Sequence, residues 1–229
     1  MKIVSDKNNL QVIYQDNHII VVNKRVGDIV QGDKTGDKPL SDVVKEYIKD
    51  KYDKPGEVFL GVIHRLDRPT TGIVVFARTS KALTRLNELF KNRETKKTYW
   101  AVVKKRPEQE TGTLVHYLKR DEKRNTSKAH SKEVPESKQA SLDYKIIKQL
   151  DNYTVLEVDL HTGRHHQIRA QLAAIGSPIK GDLKYGADRS NPDGGINLHA
   201  RKLDFTHPVT KIPLSLTAPV PDESVWKSV

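Results

Sequence analysis

Residues 61–72 read Gly-Val-Ile-His-Arg-Leu-Asp-Arg-Pro-Thr-Thr-Gly, and they place one carboxylate, Asp67, between two apolar runs. The runs, residues 58–63 and 72–77, are short and rich in Val, Ile and Phe, a pattern that predicts two buried strands. Pro69 and the closing glycine predict that the chain turns between them. Asp67 is therefore presented at a connection by a rigid scaffold, which is where reactive groups are common.

The segment also has a plain structural interpretation, in which Asp67 closes a turn and pairs with Arg65 or Arg68. Its motif favours catalysis instead. His-Arg-Leu-Asp at 64–67, followed by Thr-Thr-Gly at 70–72, resembles the active-site loop of the RluA family of RNA pseudouridine synthases, with one Thr in place of Ser. The resemblance implies that Asp67 is the catalytic residue and that Arg65 assists in flipping the target base.

A second set of segments resembles the same family. They are Leu-His-Thr-Gly-Arg-His-His-Gln-Ile-Arg at 160–169, Gly-Ser-Pro-Ile-Lys-Gly-Asp at 176–182 and Tyr-Gly at 185–186. Cations crowd the start of a predicted helix here and oppose its dipole, so they require an anion nearby, either an RNA phosphate or the Asp67 carboxylate. The resemblance implies that Arg169 pairs with Asp67. Thr162 is the predicted N-cap, and His165 departs from the family pattern, which usually has Thr.

Two strand residues complete the site that the resemblance implies. Tyr99 matches the Tyr that stacks on the target base, and Leu198 matches an apolar residue of the uridine pocket. Both also fit the ordinary core of a strand. A looser match at residues 21–24, Val-Val-Asn-Lys, is followed by Arg25 where the family has Pro.

Composition limits the function in a compatible way. The formal net charge of +11 and the pI of about 9.6 favour a polyanionic partner, which the resemblance identifies as RNA, with rRNA or tRNA as the candidates. The chain has no cysteine, which excludes disulfides and thiolate chemistry. No signal peptide, membrane span or cofactor fingerprint is visible, so we predict a cytoplasmic enzyme that needs no cofactor.

The chain-wide pattern predicts an α+β fold, a mixed and largely antiparallel sheet flanked by helices and loops. Helices are expected at 40–49, at 81–92 and from Ile168 to Ile175. The whole chain, 1–229, is predicted to be one catalytic domain without the S4-type domain of some relatives, and to be a monomer. Apolar residues nearly vanish over 119–138, which predicts a long mobile loop that either grips RNA or is merely solvated.

Two rival functions and three chemical routes remain open. The histidines at 161, 165 and 166, with His64 and Asp67, could belong to a metal-dependent RNA hydrolase. We predict no metal, because HExxH is absent and neighbouring arginines disfavour a cation. The other rival is a non-catalytic RNA-binding assembly factor. In a synthase the carboxylate could attack C1′, add to uracil C6 or remove the C2′ proton in a glycal route.

Overall fold

The computed structural model describes residues 3–229, and the chain divides into two compact units. The first unit comprises the residues up to Thr95 together with Ala200–Pro221, and the second comprises Lys96–His199 together with Asp222–Val229. Among the described residues, eleven strands and four α-helices confirm the α+β class. No helix in residues 3–229 has both the length and the apolarity to cross a membrane. The single catalytic domain stays a prediction.

The first unit is built on the buried strands that flank the Asp67 segment. Its elements are β1 (Val12–Gln15), β2 (Ile19–Lys24), α1 (Leu40–Lys51), β3 (Gly61–Val62), β4 (Thr71–Ala77), α2 (Ser80–Lys91), most of β10 (Leu198–Thr206) and β11 (Pro213–Thr217). The strand order is β1-β2-β4-β10, with β3 on β4 and β11 on β10. Every residue of β2 and β4 is buried, which explains their continuous apolar runs. Ala82 and Leu86 of α2 join their core.

The predicted strand over 58–63 is shorter than its apolar pattern suggests. Only Gly61–Val62 pairs with β4, and Phe59 is 48% exposed. At Gly61 the strand passes close to α2, since a Cβ at this position would lie 2.7 Å from the Leu83 side chain. Val58 and Leu60, outside the strand, are half-buried.

The second unit is an antiparallel sheet covered by one helix. Its elements are β5 (Lys96–Val103), β6 (Thr111–Asp121), β7 (Thr126–His130), β8 (Lys138–Gln149), β9 (Thr154–Leu160), α3 (Gln167–Ala174), a 3-10 turn (Leu183–Tyr185) and α4 (Ser224–Lys227). The strand order is β5-β9-β8-β6-β7. Ile168 and Leu172 of α3 pack on Leu142, Leu156 and Val158 of the sheet.

The segment 119–138 is not the irregular loop that its composition predicts. Most of it lies in the hairpin of β6 and β7, where Leu118 faces Ala129 and the backbone ladder continues to the turn. Leu118 and Ala129 pack with Ala170 of α3, so a few small apolar contacts suffice to place the hairpin on the helix. The prediction failed because backbone pairing and side-chain hydrogen bonds replaced the missing apolar surface.

Candidate active site

Asp67 lies in a turn whose backbone is held by the buried side chain of Lys24. The Thr70 N–H donates to the Asp67 carbonyl at 3.0 Å and closes the turn. Lys24, at the end of β2, is 1% exposed and its Nζ donates to the carbonyls of Arg25 (3.0 Å), Arg68 (3.0 Å) and Thr70 (2.7 Å). Two residues of the turn, Arg68 and Thr70, are thus held by one ammonium. The loose sequence match at residues 21–24 gave no indication of this role.

Replacing Lys24 by Met keeps an apolar stem of similar length and removes the ammonium. The carbonyls that it satisfies would each lose a donor, although Arg68 keeps the Gly27 N–H at 2.9 Å. We expect the free energy of unfolding to fall by about 2–4 kcal/mol, because buried unpaired carbonyls are costly. Turnover should fall about tenfold or more, since Asp67 loses its fixed position.

Chemical denaturation and RNA turnover measure the two effects of Lys24→Met. The matched control is Lys45→Met in the same unit, because the Lys45 ammonium is at the surface, 3.5 Å from Asp42. An unchanged denaturation midpoint for Lys24→Met would contradict this role for the lysine.

Gly72, which ends the motif, is required by the strand beside it. Its φ of +112° is rarely adopted by residues with a side chain. A Cβ at this position would lie 2.4 Å from the Ala200 carbonyl oxygen and 2.5 Å from its nitrogen. The motif glycine therefore allows β4 and β10 to approach where the Asp67 loop rejoins the sheet.

The other motif residues have separate partners. The guanidinium of Arg68 contacts the Asp37 carboxylate at 2.5 Å. The structural interpretation in which Arg68 pairs with Asp67 is therefore wrong. His64 accepts from the Val75 N–H at 3.0 Å and stacks on Phe90, which anchors the start of the motif to β4 and α2. Arg65 is exposed, and Asp67 itself is half-buried.

The second unit brings Tyr99 and Leu198 into one apolar cluster. Tyr99 lies on β5 opposite Val158, half-buried against this cluster, and Leu198 is one of its buried members at 4% exposure. Ile168, the neighbour of Arg169 in the chain, belongs to the same cluster. These positions satisfy the ordinary core interpretation and also place an aromatic ring and an aliphatic side chain together.

Arg169 is buried, at 3% exposure, and is held by a carboxylate that sequence reasoning did not assign. Its Nε and Nη2 donate to the two oxygens of Asp182 at 2.6 and 2.8 Å. The guanidinium also lies over the Tyr185 ring, 5.0 Å from its centroid. One anion beside these cations is therefore Asp182, which is neither of the two candidates, an RNA phosphate or Asp67, that the sequence suggested. Asp182 and Tyr185 belong to the Gly-Asp and Tyr-Gly segments that resemble the family, and this resemblance could have indicated that both residues belong to the site.

The start of α3 differs from the prediction. Thr162 is not the N-cap; that position is His166, in the left-handed conformation with φ of 52° and without a side-chain cap. The Thr162 hydroxyl instead donates to Gln167 Oε1 at 2.7 Å, and the same oxygen accepts from the Arg164 N–H. The Gln167 side chain, rather than Thr162, therefore accepts the backbone hydrogen bond from Arg164 in this turn.

The histidines of this segment have polar partners of their own. Among residues 3–229, no group of three or more acidic or histidine side chains is placed to hold a metal ion. His161 lies 2.8 Å from Asp143, and hydrogen bonds with Thr113 and with His161 hold the pKa of Asp143 below its usual value. His165 and His166 contact Ser127 and Tyr185.

Comparison with known proteins decides the family. The family model described as RNA pseudouridylate synthase matches residues 18–174, about two thirds of the chain. The chain belongs to the RNA pseudouridine synthase family. The resemblance inferred from the Asp67 motif is thereby confirmed, and the synthase is an isomerase that converts uridine to pseudouridine in RNA.

Named relatives of the synthase cover most of its length. An uncharacterized RNA pseudouridine synthase of Chlorobaculum parvum is 33% identical, covering 93% of this chain and 72% of the relative. Ribosomal large subunit pseudouridine synthase D of Xylella fastidiosa is 32% identical, covering 93% and 67%. tRNA pseudouridine synthase C of Vibrio cholerae is 30% identical, covering 96% and 94%.

A solved structure confirms the fold. Human RNA pseudouridylate synthase domain containing 4 superposes with a TM-score of 0.77 at 24% identity, covering 94% of the synthase and 90% of that chain. The mixed sheet flanked by helices is thus the pseudouridine synthase fold that the sequence predicted.

Proposed function

We propose that Asp67 is the catalytic carboxylate of this synthase and that Arg169 is its ionic partner. The observation that carries the proposal is the fixation of the Asp67 turn by the buried Lys24, because such rigid placement is what a reacting group needs. In the same proposal Tyr99 stacks on the target uracil, Leu198 lines its pocket and Arg65 fills the vacancy left by the flipped base.

The reaction defines what Asp67 must do. The N1–C1′ bond of uridine breaks, the uracil turns and C5 bonds to C1′. The hydrogen of C5 leaves as a proton and N1 gains one, so no oxidant or hydrolytic water is consumed. An ionised carboxylate meets this need by attacking C1′, by adding to C6 or by taking the C2′ proton. All three routes use the carboxylate form of Asp67.

Arg169 suits two carboxylates at once. A guanidinium has five N–H donors, and Asp182 takes one from Nε and one from Nη2 along one side of the group. The outer side, formed by Nη1 and Nη2, has the same spacing and fits a second carboxylate in the same bidentate manner. This geometry supports Asp67 as the second acid, with Asp182 keeping the arginine plane fixed.

Asp182→Asn tests this arrangement. The amide keeps the shape of the side chain but presents an NH₂ group to Arg169, which removes one of the two carboxylates proposed to balance this buried cation. We expect the free energy of unfolding to fall by about 3–5 kcal/mol, as for other buried pairs that lose one partner. Turnover should fall about tenfold or more with a smaller change in KM for RNA.

Denaturant titration and RNA turnover report the two effects. Asp188→Asn is the matched control, since Asp188 is an exposed carboxylate on the same loop that pairs with Lys104 at 2.6 Å. Equal behaviour of the two variants would refute a special role for Asp182.

We further propose that the substrate is a structured segment of ribosomal or transfer RNA. The names of relatives acting on large-subunit rRNA and on tRNA support this class, as does the net charge of +11. A monomer in the cytoplasm that uses neither metal nor cofactor completes the proposal.

The deciding experiment treats total RNA from a strain lacking the gene with purified protein in the presence of EDTA. Pseudouridines are located by carbodiimide-dependent primer-extension stops. Stops that need wild-type protein and disappear with Asp67→Asn would support the proposal and identify the RNA. Activity that EDTA abolishes, with shortened RNA, would favour the metal-dependent hydrolase. Tight RNA binding without stops would favour the assembly factor.

A further inference from the structure

Hydrogen bonds and a cation–π contact, both made by Tyr185, link the β6–β7 hairpin to Arg169. The Ser127 N–H of β7 donates to the Tyr185 hydroxyl at 2.7 Å, and this hydroxyl lies 2.9 Å from His166 Nδ1. The ring of Tyr185 lies under the Arg169 guanidinium. One tyrosine is therefore in contact with the hairpin, with the first turn of α3 and with the arginine.

The hairpin is fastened to α3 at a second point. The Ser127 hydroxyl donates to the His165 carbonyl at 2.8 Å and also lies 2.9 Å from His165 Nδ1. The His165 ring stacks on that of His166, with centroids 3.8 Å apart. His165 is one of the residues at which this chain departs from the family pattern, and its imidazole makes contacts that the usual threonine lacks.

We infer that Tyr185 is a positioning residue for Arg169, and that Ser127 of the hairpin holds Tyr185 in place. This inference rests on the proposed role of Arg169 beside Asp67. Two contacts fix the guanidinium. The hydrogen bonds to Asp182 fix its orientation within its plane, and the Tyr185 ring limits its movement perpendicular to that plane. Tyr185 in turn is fixed because its hydroxyl bonds to the backbone of β7.

The Tyr185 hydroxyl, and not the ring alone, fixes the position of the arginine. An aromatic ring supports a cation through its face, but it can tilt and slide unless its outer end is tied. Ser127 is 5% exposed and belongs to a paired strand, so its N–H is a rigid donor. Moving the hairpin would move the hydroxyl and, through the ring, the arginine.

Tyr185→Phe tests the inference, because it keeps the ring and removes only the tie. We expect kcat to fall about tenfold or more, with KM for RNA within about twofold of the wild-type value. The assay follows tritium release from in vitro transcripts of large-subunit rRNA and tRNAs that carry 5-tritiated uridine. Tyr144→Phe is the matched control, since the Tyr144 hydroxyl bonds to the Gln109 carbonyl at 3.3 Å in the same unit and touches neither Arg169 nor Asp182 in the described contacts.

Ser127→Ala provides a second, independent variant. It removes the hydroxyl contacts with His165 but keeps the N–H that Tyr185 needs, so we expect a smaller loss of kcat, about threefold. In the Tyr185→Phe background the same change should have no further effect on kcat, because both act through one tyrosine.

Each outcome has one meaning. A kcat loss for Tyr185→Phe that Tyr144→Phe lacks, in a protein still folded at the assay temperature, together with non-additive Ser127→Ala, supports the inference. Wild-type kcat for Tyr185→Phe, additive losses, or an equal loss for Tyr144→Phe would overturn it. Asp67→Asn is run alongside: if it remains active, the proposed function fails, whereas an inactive Asp67→Asn with normal Tyr185→Phe and Ser127→Ala overturns the positioning role alone.

Discussion

Asp67→Asn should abolish pseudouridine formation, with a loss of at least about a thousandfold in turnover. The amide has the size and shape of the carboxylate, so the turn closed by Thr70 and held by Lys24 can persist. What disappears is the negative charge, and with it a nucleophile or proton acceptor. Tritium release from 5-tritiated transcripts measures the loss directly.

Two companion measurements separate chemistry from folding in this variant. RNA binding, followed by filter retention, should stay close to that of the wild-type protein, and so should the melting temperature. Asp42→Asn, an exposed carboxylate of the same unit, should leave turnover unchanged. Residual turnover above one tenth of wild type in Asp67→Asn would refute the catalytic assignment.

Gly72→Ala should prevent the protein from reaching its native state. The new methyl group would lie 2.4 Å from a backbone oxygen of Ala200, and neither strand can move aside without breaking its ladder. The positive φ adds a cost of about 1–2 kcal/mol for any L-residue. We expect a total destabilisation of about 4 kcal/mol or more, which exceeds what most domains can lose and remain folded.

The measurement is the yield of soluble protein followed by thermal unfolding. Gly32→Ala provides the control, because a Cβ at Gly32 meets nothing within 4 Å and its φ is not in the left-handed region. A Gly72→Ala protein that melts within about 2 °C of wild type would show that β4 and β10 adapt, against the rigid approach described here.

The sequence predicted those parts of the fold whose apolar residues form either an unbroken run or a helical repeat. The buried strand β4 and the helices α1 and α2 appear within a few residues of their expected bounds, because the apolar pattern reflects burial directly. The β6–β7 hairpin was missed because its order comes from backbone pairing, which leaves little trace in composition.

Motif resemblance proposed residues for the candidate site, Asp67 and Arg169 among them, but not their contacts. Dipole reasoning predicted an anion beside the α3 cations without identifying Asp182, which follows a tight turn at Gly181 and binds Arg169. The Lys24 contacts could not be foreseen, since a sequence pattern does not show where backbone carbonyls point.

The interleaved order of the two units has a consequence for how the polypeptide is made. Both are assembled from separated stretches, since residues 200–221 complete the first unit only after all of Lys96–His199 has been synthesised. During translation, the half containing Asp67 must therefore wait, without strands β10 and β11, until more than a hundred later residues have left the ribosome. Its apolar β4 edge is exposed throughout that interval, which makes the nascent chain a natural client for chaperones.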